Sequence, residues 1–266
     1  MLAAPSQDAD EGFPGDVAMK RQTIATAVLA ALAVAPMSLT TAHANTVDVV
    51  HDGFGASSWT TFYGAWQYGN EVAAGVYNLD KTADTGLGNT WSNGSIPAFC
   101  IELQEVAPDT THTYQVTMPE DVYNSVTGTA MGTTKANYLR ELWARYYDNA
   151  WAGGGTLTTQ QHEAAEAFAA AVWEIVYEDL PTSPLGWDVR LDGTAGQRGF
   201  WAESLDADTA NKWLHDLTGS GPKADLRAFV CDGQQDYLVV VPEPATVMLL
   251  GLGGLLSLMG GRRARA

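Results

Sequence analysis

Thr158-Thr159-Gln160-Gln161-His162-Glu163-Ala164-Ala165-Glu166-Ala167-Phe168-Ala169-Ala170-Ala171-Val172-Trp173-Glu174-Ile175-Val176-Tyr177-Glu178 is the stretch whose spacing decides the fold. Ala164, Phe168, Ala171, Val172, Ile175 and Val176 recur every three or four residues, the period of a helix with a buried face. Thr158 and Gln161 stand as a capping-box pair, so a helix is predicted over 159–178. Its alanines let a neighbour pack close. Upstream, Leu139, Leu142, Trp143 and Tyr146 predict a helix over 135–147, and Gly153-Gly154-Gly155 reads as a connector. A third helix is predicted over 208–217, capped by Asp206 or Asp208. The flanks read as β. Strands are predicted over 46–50, 72–79, 96–103 and 113–118, and later over 226–231 and 237–241. The last two flank Asp232-Gly233-Gln234-Gln235-Asp236 as a hairpin. The expected architecture is one α+β domain: a β-rich N-terminal half, a helical middle and a C-terminal β-hairpin.

The chain has 266 residues, 46% of them hydrophobic, and carries 31 acidic against 14 basic side chains, a net charge of −17. That excludes disorder, and it excludes an electrostatic nucleic-acid binder, which needs Lys and Arg to displace phosphate counterions. Two cysteines exclude a dense disulfide scaffold and a four-Cys zinc site.

The two ends read as addresses. Lys20 and Arg21 precede an apolar run over 24–39, and Ala42-His43-Ala44 follows it. This is the three-part pattern of a secretory signal peptide with cleavage after Ala44. Met19 opens the conventional positive region, so residues 1–18 are read as a misassigned upstream start and 19–44 as the signal. At the other end, Val241-Pro242-Glu243-Pro244-Ala245-Thr246 leads into an apolar run over 247–259 and closes on Arg262, Arg263 and Arg265. Counted from Ala245 to Gly261 the apolar stretch has 17 residues, the lower limit for a spanning helix, so it predicts a transmembrane sorting helix of minimal length with the arginines as its cytoplasmic basic anchor.

The tripartite tail, residues 242–266, resembles the PEP-CTERM sorting signal. The resemblance implies that Pro242, Glu243 and Pro244 are read by exosortase, a membrane protease-transferase of Gram-negative bacteria that make exopolysaccharide. It implies signal peptidase and exosortase as partners during export, transient membrane anchoring, and then release or attachment at the cell surface. The body between the addresses, residues 45–241, holds all nine tryptophans and keeps the net charge, because each trimmed basic residue is matched by a trimmed acidic one.

Within the body, Pro97-Ala98-Phe99-Cys100-Ile101-Glu102-Leu103 followed by Ala167-Phe168-Ala169-Ala170-Ala171-Val172-Trp173-Glu174-Ile175-Val176-Tyr177 is similar to the thioester domains of bacterial surface adhesins. In that family a strand Cys and a helix Gln form an internal thioester that captures amines. Here the Gln position, four residues before the Trp, is Ala169, which has no carboxamide. Cys100 therefore has three readings: a buried strand residue, a covalent nucleophile with another acyl partner, or half of a Cys100–Cys231 disulfide in an oxidising compartment.

Other candidate chemistry is sparser. Glu102, Glu105, Glu174, Glu178 and Asp179 could supply a glycosidase pair. His51, His112, His162 and His215 are widely spaced and form no metal cluster or triad motif. Asp206, Asp208, Asp232 and Asp236 could offer oxygens to Ca²⁺, but turn and cap roles explain them more simply. No cofactor is expected. Trp59, Phe62, Tyr63, Trp66 and Tyr68 form an aromatic run that either fills the core or stacks on sugar rings. The leading expectation is a non-enzymatic exported protein that contacts exopolysaccharide or other surface components. A covalent adhesin using Cys100 and a secreted polysaccharide hydrolase are the alternatives.

Overall fold

The computed structural model describes residues 44–65, 67–153, 155–191, 199–203 and 206–242. The expected signal peptide up to His43, and Glu243, Pro244 and the expected transmembrane sorting helix with its arginines, lie outside these residues. Among the described residues no helix is long and apolar enough to cross a membrane.

The chain opens on a long antiparallel hairpin, β1 (Thr46–Gly64) and β2 (Gln67–Thr85). It continues through β3 (Gly94–Cys100), β4 (His112–Thr117) and a minor two-strand pair, β5 (Tyr123–Asn124) with β6 (Thr129–Ala130). Helices α1 (Gly132–Tyr146) and α2 (Thr159–Tyr177), strand β7 (Phe200–Glu203) and helix α3 (Ala207–His215) follow, and β8 (Leu226–Cys231) and β9 (Gln234–Val240) close the fold.

All pairings are antiparallel, and six strands close on themselves in the cycle β1-β2-β3-β9-β8-β4. Closure comes from the start of β1, where Thr46 pairs with Thr85 of β2 on one side and Gln115 of β4 on the other. The far end of β1 takes β7, with Phe62 opposite Ala202. Strand alternation then makes two cores. Val47, Leu79, Tyr114 and Tyr237 fill the ring, with Tyr77–Tyr237 centroids 5.6 Å apart. Phe99 points the other way, onto Phe168 of α2 at 4.6 Å and Trp143 of α1 at 5.5 Å.

The predicted helices are present to within a few residues at each end. The capping box of Thr158 and Gln161 opens α2, and Asp206 caps α3 through the Thr209 N–H. The expectation of one buried face on α2 is corrected: every residue from 165 to 177 is buried. The β1–β2 hairpin covers one side, and α1, α3 and β7 cover the rest. That explains a helix apolar nearly all round.

The strand expectations need several corrections. The strand expected over 96–103 ends at Cys100, with 101–103 in the following loop, the one over 72–79 is the middle of the longer β2, and the short β5–β6 pair was not expected. Residues 51–64 belong to β1, although Gly53, Gly55 and the serines hide the alternation. The cause is visible as register shifts between His51 and Phe54 and between Phe54 and Ser57. Strand β7 was not expected. The last hairpin turns on Asp232 and Gly233 alone, with Gly233 at φ +80° and Cys231 opposite Gln234, so Gln234, Gln235 and Asp236 join β9.

Lys81 closes one end of the ring. Its ammonium is buried, pairs with Asp84, and donates to Trp91 O at 2.6 Å and Asn93 Oδ1 at 3.2 Å. Lys81→Ala is expected to cost about 2–4 kcal/mol, because it leaves these acceptors without their donor. Leu185→Ala, at a side chain 71% exposed, should cost under about 0.5 kcal/mol. Urea unfolding followed by tryptophan emission measures both.

Candidate functional site

Cys100 ends β3, opposite Tyr237 on β9. Its thiol is buried and donates to Glu102 O at 3.0 Å. Trp173 Nε1 donates to Cys100 O at 2.9 Å, so the structure joins the strand and helix segments singled out in the sequence. Ala169 is buried one turn earlier on α2. Burial pushes the Cys100 thiol well above its ordinary range, so it is a neutral core group rather than a ready nucleophile.

Both cysteines are free in this structure, so it does not carry the Cys100–Cys231 disulfide that was one of the three readings of Cys100. Strand β9 lies between β3 and β8, and Cys100 is level with Phe229 and not with Cys231, so the cysteines stand at least two strand spacings apart, more than about 9–10 Å.

Gln235 organises the space beside Cys100. Its backbone N–H donates to Val106 O at 3.0 Å, and its Nε2 donates to Glu102 O and Glu105 O at 3.3 and 3.4 Å. These bonds pin the 101–107 loop against β9. The loop and the β1–β2 hairpin enclose a groove of about 450 Å³. Phe54 and Trp59 stand in it, 41% and 68% exposed, with Gln67, Asn70, Glu71 and Gln104 beside them.

The aromatic run therefore divides. Phe62 is core, and Tyr63 stacks on Trp201 with centroids 3.9 Å apart. Trp66 and the side chain of Tyr68 lie outside the described residues. Among the described members Trp59 is presented to solvent. Phe54 was missed in the sequence, because only the irregular register of β1 brings it alongside Trp59.

The other candidates serve the fold. Glu174 Oε1 accepts the Asp188 N–H at 3.0 Å and Glu178 Oε1 accepts the Phe200 N–H at 2.9 Å, so this buried pair anchors the connections beyond α2, and Asp179 follows it in the chain. His162 Nδ1 bonds the backbone of Ser57, and His215 Nε2 bonds Trp187 O at 2.8 Å. His112 lies near Thr110, and His51 packs on Phe54 and Tyr77. Asp208 pairs with Arg190, and Asp236 accepts the Cys231 N–H at 2.9 Å. Among the described residues no group of three or more His, Cys, Asp or Glu is arranged to hold a metal.

A larger cleft, about 770 Å³, is walled by Trp91, Trp143 and Tyr147 and borders Pro242. Here the last strand leaves the ring: Val241 N donates to Asp225 O at 2.8 Å, and Trp91 Nε1 donates to Val240 O at 2.8 Å. The PEP-CTERM protein-sorting family matches residues 240–265, beginning at that point. The chain carries a PEP-CTERM sorting motif. Such a motif implies export, processing by exosortase and association with the cell surface. No curated protein matches the chain in sequence. Among solved structures, the N-terminal domain of the Streptococcus pyogenes pilus tip adhesin Cpa is similar, at 16% identity over 73% of this chain and 99% of that one, with a TM-score of 0.34. That likeness is too slight to bear on the fold or the function.

The protein's buried acids set its pH response. Burial, then Asp236 and Glu105, push Glu102 up to about 8, and burial pushes Asp236 up to about 7. Burial followed by Glu178 raises Glu174 to about 9, and burial followed by Asp206 raises Glu166 to about 7. These groups hold protons more tightly folded than unfolded. Their contribution is complete below about pH 4.3, the ordinary carboxyl range, and is lost as pH rises through 7–9. Glu141 runs oppositely. Burial raises it, but the Thr218 and Gly221 N–H groups, the Thr218 hydroxyl and Arg145 outweigh that and hold it low. Its contribution is lost as pH falls below the ordinary range. The melting temperature is expected to be higher at pH 5 than at pH 9 by about 4 °C or more, each kcal/mol being worth about 2–4 °C at this size. Glu174→Gln should flatten the decline. Calorimetry across pH measures both.

Proposed function

We propose that this is an exosortase-sorted surface protein whose body, residues 45–241, acts without catalysis, by non-covalent binding in the extracellular matrix. The observation that carries the reading is the position of the sorting motif. It begins at Val240, the last residue of β9, and Val241 is still bonded to Asp225, so the ring is closed by the time the chain reaches Pro242. Cleavage beyond Pro242 leaves the described ring strands intact. The non-enzymatic part of the reading is supported by Glu174 and Glu178, whose carboxyl oxygens accept backbone N–H groups of neighbouring loops.

Expression of the full chain in an exosortase-bearing Gram-negative host tests this. With exosortase present, a shortened protein is expected at the surface or in the medium. Without it, the chain should keep its tail and stay in the membrane fraction. Replacing Pro242, Glu243 and Pro244 by alanine should have the same effect as removing exosortase. Processing that ignores both changes overturns the reading.

A second reading, covalent attachment through Cys100, is favoured by one contact. Gln235 Nε2 and Cys100 Sγ both bond Glu102 O, at 3.3 and 3.0 Å, which puts a carboxamide near the thiol that Ala169 does not supply. A thioester would join Cys100 Sγ to the Gln235 side-chain carbonyl and release ammonia. The full mass of the exported body, with no ammonia missing, is the expected result. A mass short by one ammonia, restored to full by Gln235→Glu, would establish the covalent reading instead.

A further inference from the structure

The geometry points to a binding site for neutral polysaccharide in the groove between the β1–β2 hairpin and the 101–107 loop. This assignment rests on the surface reading above.

Trp59 leaves 68% of its surface in water, although burying so large an apolar side chain is strongly favourable. It is also held in place. Its backbone pairs with Ala73 on a ladder that runs the length of the hairpin. Phe54 meets it edge-on at 6.4 Å, and Phe54 is fixed by Tyr77 at 4.9 Å and His51 at 4.7 Å. The result is a rigid apolar platform on an otherwise polar face.

Planar amides flank the platform. Asn70 Nδ2 donates to Gln67 Oε1 at 2.6 Å, a bond that leaves Gln67 Nε2 and Asn70 Oδ1 as a donor and an acceptor. Gln235, 97% buried, lines the same groove, and its Oε1 has no hydrogen-bond partner among the described residues. The C–H face of a pyranose packs on an indole, and its hydroxyls both donate and accept toward amides. A groove of about 450 Å³ is within the ordinary range for small-ligand sites.

Charge narrows the class. Glu71 and Glu105 line the groove, the described lining residues include no Lys or Arg, and the whole chain carries −17. A uronate or sulfated polymer would be repelled. A neutral glycan avoids that cost.

The processed protein recovered from an exporting host should be tested on chitin and cellulose beads and against soluble dextran and laminarin, with alginate as the anionic polymer. Retention on at least one neutral probe and none on alginate is expected. Trp59→Ala should weaken that retention at least tenfold, while Leu185→Ala, an exposed apolar residue outside the groove, should leave it unchanged. Circular dichroism of Trp59→Ala should match wild type, because the side chain is outside the core. Failure of the wild type on every neutral probe, equal retention on alginate, or unchanged binding by folded Trp59→Ala would each overturn the site. Cell fractionation separates this from the surface reading: Trp59→Ala should be exported and processed like wild type whatever its glycan binding.

Discussion

The first residues of β1 hydrogen-bond on both sides, to β2 and to β4, and the rest of the architecture depends on that double pairing. Without it the sheet would be open, with two edges to protect. With it, six strands form a ring whose interior is filled by Val47, Tyr114, Tyr237 and their neighbours. The same strand then shifts register and leaves the ring, which frees its second half to cover α2 and receive β7. One long strand thereby serves both the barrel and the helical layer. The exposed aromatic platform sits on the portion that has left the barrel.

The helices were legible because their signals are local. The Thr158–Gln161 cap and the three-and-four spacing through Ile175 lie within a few turns of chain. The full burial of α2 was not legible, since it depends on elements distant in sequence. Closure of the ring was hidden for the same reason: a strand's second partner leaves no mark in its own alternation. Gly53 and Gly55 concealed most of β1 because bulges interrupt the period that marks a strand. The tight Asp232–Gly233 turn was read too long, as Gln234 and Gln235 look like loop residues by composition.

The candidate site was partly legible. Residue type singled out Trp59, but it could not separate Trp59 from Phe62, which faces the core. Only three-dimensional context divides that run into platform and packing. Cys100 was singled out by resemblance, and its surroundings show a buried thiol held by Glu102 and screened by Trp173. Glu174 and Glu178 were only two of five acids that could have supplied a glycosidase pair, because spacing shows proximity and not purpose. Their partners are backbone N–H groups in the chain beyond α2, which no local pattern can reveal. The sorting motif needed no structure, because its three parts occur in order along the chain.

Strand β9 is the last strand in the sequence but lies inside the ring, hydrogen-bonded to β3 on one side and β8 on the other. Any tether at the C-terminus pulls on this strand first. Tension along its axis loads two ladders of hydrogen bonds together, in shear, instead of peeling an edge one bond at a time. The buried Trp91 indole, bonded to Val240 O, adds a side-chain clamp at the point where the load enters. A pull on the C-terminal end of the described body is thus taken up at a mechanically strong point of the fold. The same placement makes ring closure wait for the end of the chain, since β3 and β8 are joined only through β9.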